Sequence, residues 1–475
     1  MKINKYHFLY IIISFALCLY AYLLMGQSSM GSVDELLQKT AIVGLLEILF
    51  CTITWKLYTG SFFSLFLFYL LSFYIFTMGQ SLLYAFNIEH SFANVYILVS
   101  KEAMLKSHVF TILCIAFLFE GALIAAGKKT TKYTQIEIVE NCESGIFGQV
   151  GVILLMISVI PMIIYLVSLL ISYRAGGYAY AFSSVSNTSG LMRIITKIYP
   201  FCVPSLIMII IGYSGFYRKV AQVFMGLIGI IYFMIGERTG AASIILALFI
   251  LDSNLKERTQ TDDRPNRSGQ LKLVLLIILF AIFIPVIGAL RNTSDMSISS
   301  LTEAVMENGV FAGITDTIAT MGFSEFPLGK TIEIVPDNKS FAYGQSYFFA
   351  MLSLFPNIFG GTHVSVKYAG LAQWLMDFLN MNYGPGFSYP AEAWYNFGWL
   401  GCIFMLVIGY VFSYFLYIPK GTKVNNTTLF LSLAFFEETI TSPRRELMTV
   451  VRQVGYYVLI PVLLIYLFRL RSRRA

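Results

Sequence analysis

The stretches IFIPVIGALRN (282–292) and GPGFSYPAEAWYNFGWLG (384–401) bound one long segment, 291–396, that is set among very apolar runs. The first stretch ends its hydrophobic run at Arg291, and the second carries Glu392 a few residues before the next hydrophobic run. Loops held over a rigid scaffold commonly carry the functional residues of a protein. The side of the membrane that this loop faces therefore limits what the protein can do.

The composition indicates a membrane protein, because apolar residues make up 57% of the chain and charged residues only 12%. Its hydrophobic runs approach the ~20 residues that a helix needs to cross a bilayer. We expect an all-α polytopic protein, and no A-x-A cleavage site follows the first run, which should stay as a signal anchor. The expected spans are twelve: 6–25, 38–56, 61–80, 108–126, 147–172, 194–213, 219–236, 240–252 (short for a span), 271–290, 397–418, 425–440 and 449–468.

The positive-inside rule places both termini in the cytoplasm, because Lys2 and Lys5 precede the first span and a cluster of arginines follows the last. The organisation is then spans one to nine in 1–290, one large outer-face loop in 291–396, and three spans with a basic cytoplasmic tail in 397–475. The large loop is then expected on the outer side of the membrane. No nucleotide-sugar pool exists there, so any substrate must arrive already activated or carried on a lipid.

Several functional classes are excluded by residue usage. The six cysteines avoid the large loop and show no disulfide or zinc spacing, and the four histidines form no ligand pair. The net charge of +7 is explained by the cytoplasmic ends of the spans, with no sign of nucleic-acid binding. We therefore expect no metal, no cofactor and no nucleic-acid partner.

Arginines lie close to helix ends on the predicted outer side, where the positive-inside rule disfavours them. Each could be a snorkelling anchor or could pair with a nearby glutamate. The planar guanidinium also suits the paired oxygens of a phosphate, and repetition at separate outer ends favours an anionic site such as a lipid-linked diphosphate. The candidates for this site are Arg238, Arg291, Arg444, Arg445 and Arg452.

The large loop should consist of short amphipathic helices, one beginning near Ser300 and another over 366–381, with an aromatic stretch at 341–361 that lies on or dips into the outer leaflet. Aromatic rings beside polar groups form platforms for sugar rings, and they equally form the interfacial belt of membrane proteins. Composition does not separate these two interpretations. The candidate sugar-binding residues are Tyr343, Tyr347, Tyr389, Trp394 and Tyr395.

Two loop residues are the candidates for proton transfer. His363 has an ordinary pKa suited to a general base, although a solvated loop histidine is the simpler interpretation. Glu392 lies where the chain re-enters the membrane near the arginines, and the simpler interpretation there is a salt bridge. Asp377 and Glu325 are weaker candidates.

Several short motifs are similar to those of Wzy-type O-antigen and capsule repeat-unit polymerases. The segment 384–401 resembles the family's "small-G-x-S…AE-x-Y-x-NFG…G" stretch, and YGQSYFF (343–349) followed by LFPNIFG (354–360) resembles its "G-x-S-Y…P" stretch. The GERTG turn at 236–240 and SPRRE at 442–446 resemble the family's two arginine-bearing outer turns. The resemblance covers roughly 220–455, and no close copy of the arginine-x10-glycine motif of some members is present.

The resemblance implies a metal-independent glycosyltransferase with a fold like that of the membrane-embedded C type. Its donor would be a growing glycan on undecaprenyl diphosphate, and its acceptor would be one undecaprenyl-diphosphate-linked repeat unit. Its partners would be these lipid-linked oligosaccharides and the bilayer, with a chain-length regulator and a flippase as further partners. The product would be O-antigen or capsular polysaccharide, made on the periplasmic or extracellular side of a bacterial cytoplasmic (inner) membrane.

Two alternatives remain open at this point. An O-antigen ligase or related lipid-linked glycan transferase would share the fold and the arginines but would use another acceptor, and loop histidine usage favours it. A flippase or other transporter would be no enzyme. Transporters tend to show internal repeats and charges at the midplane, whereas here the charges cluster at outer helix ends and no repeat is evident.

Overall fold

A computed structural model of the protein describes residues 5–28, 32–133, 143–186, 190–259, 311–355, 357, 362–381, 384–419 and 425–472. All regular secondary structure in these ranges is helical. The expected ninth span, Arg291 and the predicted helix start near Ser300 lie outside the described residues.

Nine helices among the described residues are long and apolar enough to cross a membrane, which confirms the prediction of an all-α polytopic membrane protein. The expected eighth and eleventh spans correspond to shorter helices, Gly240–Asp252 and Asn426–Thr439, so among the described residues the expected count of twelve is not confirmed. The nine are Lys5–Gly26, Val33–Thr59, Leu65–Ala85, Lys101–Lys129, Gly145–Gly177, Leu191–Gly212, Phe216–Ile235, Tyr389–Leu416 and Leu447–Arg471.

Some candidate spans are parts of longer helices, and others are divided into shorter ones. The apolar helices bury one face and leave the other exposed, as Phe8, Ile12 and Phe15 of the first helix are, which suits contact with lipid. The helices not yet given are Val95–Leu98, Lys101–Tyr133, Glu143–Ser186, Leu191–Ile198, Cys202–Gly212, Arg238–Thr259, 311–322, Phe326–Ile334, Gln345–Leu352, Val364–Ala369, Leu371–Phe378, Tyr389–Phe397, Cys402–Leu416, Leu447–Gln453, Val454–Leu459 (a π-helix) and Ile460–Ser472.

The chain forms two compact units. The first unit comprises Met1–Glu137, Ile318–Thr422 and Glu438–Gly455. Its core is the contact between helices Lys101–Tyr133 and Cys402–Leu416, where a Cβ atom on Gly121 or Gly409 would collide with the backbone of the facing helix. Such close approach of small residues is a common way for membrane helices to associate.

The second unit comprises Ile138–Thr317, Lys423–Glu437 and Tyr456–Ala475. Its main packing joins helix Glu143–Ser186 to helix Cys202–Gly212, and helix Phe216–Ile235 to helix Arg238–Thr259. Gly236 ends the third of these helices in the left-handed conformation (φ 88°), which turns the chain so that Arg238 begins the next helix. Arg238 therefore stands at a helix end, as the sequence predicted.

The predicted loop region contains short helices in its second half. The expected helix over 366–381 is instead two helices, Val364–Ala369 and Leu371–Phe378. Gly370 separates them with non-helical dihedrals (φ −82°, ψ 69°) while its N–H still bonds to the Val366 carbonyl. The low helix propensity of glycine explains why an apolar pattern that continues across this point does not give one continuous helix.

Candidate functional site

The helix Tyr389–Phe397, here called the motif helix, is formed by strong local signals. The Ser388 hydroxyl accepts the Ala391 N–H (3.3 Å) at its start, Pro390 occupies its first turn, and Gly398 ends it at φ 57°. A side-chain cap and a first-turn proline are both favourable at a helix N-terminus. These signals place Glu392 in the first turn, where it is completely buried.

Both carboxylate oxygens of Glu392 are held by donors from distant parts of the chain. Oε1 accepts the Ser346 hydroxyl (2.7 Å) and Oε2 accepts the Leu447 N–H (2.7 Å). Hydrogen bonds to an ionised acceptor are about twice as strong as neutral ones, and a buried carboxylate needs them. Glu392 therefore joins the two loop motifs to the chain that follows the SPRRE stretch (442–446).

Asn396 completes this junction one helical turn after Glu392. Its amide donates to the Ser346 hydroxyl (2.7 Å) and to the Glu392 carbonyl (2.8 Å), and its side-chain oxygen accepts the Gly344 N–H (3.0 Å). The backbone N–H groups of Ala342 and Tyr343 add bonds to carbonyls of the motif helix. The YGQSYFF stretch and the AEAWYNFG stretch are thus locked to each other.

The segment 442–446, here called the arginine segment, leads directly into Leu447. It begins as a 3₁₀ turn over Ser442–Arg444, and the Arg445 N–H bonds to the Ser442 carbonyl (2.9 Å). Arg444 is exposed, with its guanidinium carbon 5.8 Å from the centre of the Phe76 ring. The Arg445 guanidinium donates to the Gln453 side chain (2.7 Å) and is partly exposed.

Glu446 attaches the arginine segment to the loop. Its Oε2 accepts the Ala372 N–H (2.8 Å) at the start of helix Leu371–Phe378. Burial raises the pKa of the Glu446 carboxyl above its ordinary value, while the N–H groups of Ala372 and Leu371 and the charge of Arg452 act in the opposite direction. Together with Glu392, this contact fixes the segment that carries Arg444 and Arg445.

Arg452 and His363 meet at one serine. The Arg452 guanidinium donates to the Ser365 hydroxyl (2.8 Å), which lies 2.6 Å from Nδ1 of His363. The Ser365 N–H also donates to Nδ1 (3.1 Å), so His363 caps helix Val364–Ala369 and its Nε2 faces the Phe355 carbonyl (3.1 Å). Both ring nitrogens therefore have protein partners, and His363 holds the loop that faces Arg452.

The five candidate sugar-binding residues divide by exposure. Tyr389, Trp394 and Tyr395 are buried in the core, and the Trp394 indole donates to the Val335 carbonyl (3.0 Å). Tyr347 stacks on Phe404 with ring centres 3.8 Å apart. Tyr343 is 75% exposed, so it is the candidate among these five whose ring is most available to a ligand.

The structure brings some predicted arginines near the motif helix. Arg444, Arg445 and Arg452 belong to the first unit with Glu392 and His363, whereas Arg238 belongs to the second unit and Arg291 lies outside the described residues. In the described part of the chain, no group of three or more His, Cys, Asp or Glu side chains is arranged to hold a metal ion.

Sequence reasoning did not single out Ser346, Asn396 or Ser365, which link the candidates together. Ser346 and Asn396 belong to the two motifs on which the resemblance rests, so the motifs themselves could have identified these residues. Ser365 had no comparable signal, because its role depends on Arg452, which is far away in sequence.

Comparison with known proteins gave one family. The model of the family described as "O-antigen polysaccharide polymerase Wzy" matches residues 6–474, which is nearly the whole chain. No curated protein sequence and no solved structure matches.

Proposed function

Because the chain belongs to the O-antigen polysaccharide polymerase family Wzy, we propose a specific mechanism for its site. The chain is a multi-pass membrane polymerase that joins lipid-linked oligosaccharide repeat units into O-antigen. The proposed donor is a growing glycan on undecaprenyl diphosphate, and the proposed acceptor is one unit on the same carrier. The reaction takes place on the outer face of the cytoplasmic membrane, with both termini in the cytoplasm.

The proposed reaction is a substitution at the anomeric carbon of the donor. A hydroxyl oxygen of the acceptor forms the new bond, and the bond from the anomeric carbon to the diphosphate oxygen breaks with its electron pair on the diphosphate. The hydroxyl proton passes to a base or to solvent. A diphosphate leaving group requires stabilisation of its negative charge more than it requires a proton donor.

The arginine segment supplies that charge in this proposal. Arg444 and Arg445 follow each other in one short turn and are both at least partly exposed, and Arg452 lies on the helix that the segment leads into. Guanidinium groups bind paired phosphate oxygens without a metal ion, so metal independence is part of the proposal. Arg238 and Arg291 are proposed as further diphosphate ligands on the basis of their place at predicted outer turns.

The observation that carries the proposal is the contact of Glu392 with the Leu447 N–H, because it ties the family motifs to the arginine segment. Glu392 is accordingly proposed to hold the arginines in place. Each of its oxygens keeps a second lone pair, so general-base catalysis is the alternative role of this carboxylate. Ser365 plays a similar connecting part elsewhere, because its hydroxyl contacts both His363 and Arg452. A flippase that delivers units and a chain-length regulator are the proposed protein partners.

Two substitutions at Glu392 separate the two roles. In Glu392→Gln, the amide oxygen can accept the Leu447 N–H while the amide nitrogen donates to the Ser346 hydroxyl, so the contacts persist but the base is lost. In Glu392→Ala both contacts are lost, and a hydrogen bond to a charged group is worth about 1.5–3 kcal/mol. If that energy positions the arginines, polymerisation falls roughly 10- to 100-fold in Glu392→Ala.

The measurement is conversion of lipid-linked repeat units to polymer by purified protein, together with glycan ladders on gels from a strain that lacks the polymerase. Ladders from Glu392→Gln and none from Glu392→Ala support the positioning role, whereas loss in both with normal folding identifies the base. Asp337→Asn, an exposed acid in the same loop that is not a candidate for proton transfer, is the control. Normal ladders from Arg444→Ala and Arg445→Ala together would overturn the diphosphate assignment.

A further inference from the structure

A second polar site lies in the first unit, where helix Leu65–Ala85 ends and the chain turns towards helix Val95–Leu98. It is a cavity of about 380 Å³, which falls in the size range of small-molecule pockets. Its polar lining comes from amides, a phenol, an imidazole and a carboxylate, on Gln80, Tyr84, Asn87, Glu89, His90 and Asn94. Tyr96 adds a second phenol, stacked on Tyr84 with ring centres 4.0 Å apart.

The wall of this cavity is held by Gln80. Its side-chain nitrogen donates to the carbonyls of Ala93 (2.8 Å) and Ala319 (2.9 Å), and its side-chain oxygen accepts the Val95 N–H (2.9 Å). One buried amide therefore connects residues 93–95 to the end of helix Leu65–Ala85 and to the chain at residue 319. Rigid support of this kind distinguishes a built site from an incidental gap between loops.

Glu325 supports the same wall from behind. Helix Leu65–Ala85 is interrupted at Met78 (φ −144°, ψ 22°), which leaves N–H groups just after the break without partners in the helix. Glu325, only 2% exposed, accepts the N–H groups of Gln80 (2.8 Å) and Ser81 (3.2 Å) and the Ser81 hydroxyl (2.6 Å). The break is thus satisfied, and Gln80 is held in its position.

The phenol of Tyr96 is fixed by the same network. Its hydroxyl donates to the Ser81 hydroxyl (3.1 Å) and lies 2.9 Å from Nε2 of His108, whose other ring nitrogen lies 2.9 Å from the Thr40 hydroxyl. Gly79 and Gly322 allow the two supporting segments to approach, since a Cβ atom on Gly322 would collide with the backbone at Gly79 and Gln80. The stacked aromatic wall is therefore preorganised.

The cavity lies close to the arginine segment along one helix. Arg444 stands over Phe76, and the cavity is lined by Gln80 and Tyr84 of the same helix. These positions are four and eight residues further on (80 − 76 and 84 − 76), on the other side of the interruption at Met78. The shared helix is the link between the diphosphate assigned to Arg444 and the ligand of the cavity.

We propose that this cavity binds a sugar residue of the glycan, as a subsite separate from the arginine and Glu392 contacts. The Asn87 and Asn94 amides, the His90 imidazole and the Glu89 carboxylate can pair with sugar hydroxyl groups, and aromatic walls pack on the C–H faces of sugar rings. Among the described residues that line it there is no lysine or arginine, and Glu89 carries a negative charge, so the ligand is a neutral or amino sugar and not an acidic one. The inference rests on the proposed function for the identity of the glycan.

The first test measures direct binding of sugars to purified full-length protein in detergent, and saturation-transfer NMR is the readout. The probes are N-acetylglucosamine, glucosamine and glucuronic acid. The wild-type protein should give signals with the first two probes and none with the third. The double variant Glu89→Ala/His90→Ala should weaken those signals about fivefold, as expected for loss of a hydrogen bond worth ~1 kcal/mol.

Two further variants keep the test decisive. Ile88→Trp fills the cavity without removing a polar group. Glu102→Ala removes one negative charge, as Glu89→Ala does, but at an exposed residue outside the lining. Ile88→Trp should abolish the signals and shift the glycan ladder to shorter chains, while Glu102→Ala should match the wild type. Unchanged signals and ladders in both cavity variants would overturn the subsite.

The binding test is independent of catalysis, so the two proposals can fail separately. A wild-type protein that makes no polymer but shows these probe signals contradicts the proposed function and leaves the sugar site standing. A wild-type protein that makes polymer, with ladders and signals insensitive to the cavity variants, contradicts the sugar site alone. Strong binding of glucuronic acid would contradict the assignment of sugar class.

Discussion

Two buried glutamates organise the first unit, and they do so in different ways. Glu392 accepts one backbone N–H, from Leu447, and one serine hydroxyl, and the chain that it holds carries exposed arginines. Glu325 accepts two backbone N–H groups and one serine hydroxyl at a helix break, and its contacts continue to the uncharged hydroxyls of Ser81 and Tyr96. The same side chain thus supports a cationic site in one place and, in the other, a cavity whose lining has no lysine or arginine among the described residues.

The difference teaches that burial and hydrogen bonding alone do not mark a catalytic acid. Both carboxyl groups are almost completely inaccessible, and both are bound to serine hydroxyls at similar distances, 2.7 Å for Glu392 and 2.6 Å for Glu325. What distinguishes Glu392 is the segment on the other side of the bond. Parallel substitutions of Glu392 and Glu325 therefore test this comparison.

The largest expected effect is on thermal stability. Glu325→Ala leaves up to three buried donors without an acceptor, and Glu392→Ala leaves two. Each unsatisfied buried donor costs roughly 1–3 kcal/mol. We expect Glu325→Ala to lower the Tm of the purified protein more than Glu392→Ala, and Glu325→Gln to restore part of the loss. Thermal unfolding in detergent measures this, and a larger loss in Glu392→Ala would contradict the comparison.

Much of this arrangement followed from residues that the sequence displays. Apolar runs predicted the membrane helices, and the motif text drew attention to Glu392, Arg444 and Arg445 because these residue types stand at helix ends. The cap and turn residues Ser388, Pro390 and Gly398 are local signals that are equally visible in the sequence. Patterns of this kind depend on neighbours in sequence, and they were sufficient to predict the fold class and the position of these residues at helix ends.

What could not be predicted depends on contacts between distant segments. Glu325 was a weaker candidate, because nothing near it in sequence reveals the helix break at Met78 whose N–H groups it accepts. The residue type of Trp394 suits a platform for sugar rings, but its indole N–H donates to the Val335 carbonyl inside the core. The division of helix 366–381 at Gly370 was missed for a simpler reason, since the apolar pattern continues through the break.

A second, smaller effect concerns pH. Burial raises the pKa of the Glu325 carboxyl to about 8, above its ordinary value of 4.5, although the bonds from Ser81 and Gln80 oppose the shift. A carboxyl group with a raised folded-state pKa binds more protons in the folded protein than in the unfolded one. Its stabilising contribution is therefore complete below about pH 4.5 and is lost as the pH rises through about 8.

Thermal unfolding of the wild type and of Glu325→Gln between about pH 5 and pH 9 tests this assignment. The wild type should lose Tm as the pH rises to about 8 and then level off with respect to this group. Glu325→Gln cannot titrate, so its curve should lack that slope while other groups still contribute equally to both proteins. Parallel curves for the two proteins would show that Glu325 does not titrate in this range.

The smallest expected effect is that of a chelator. In the proposed site, guanidinium groups neutralise the diphosphate, so polymerisation by the purified protein should keep its full rate in the presence of EDTA. Arg444→Ala, by contrast, should reduce the rate under the same conditions, because the charge that it removes has no substitute in solution. Loss of activity in EDTA that Mg²⁺ restores would transfer the counter-charge from the arginine segment to an ion. The contrast between the two glutamates would then need another basis, because Glu392 would no longer owe its role to the arginines that it holds.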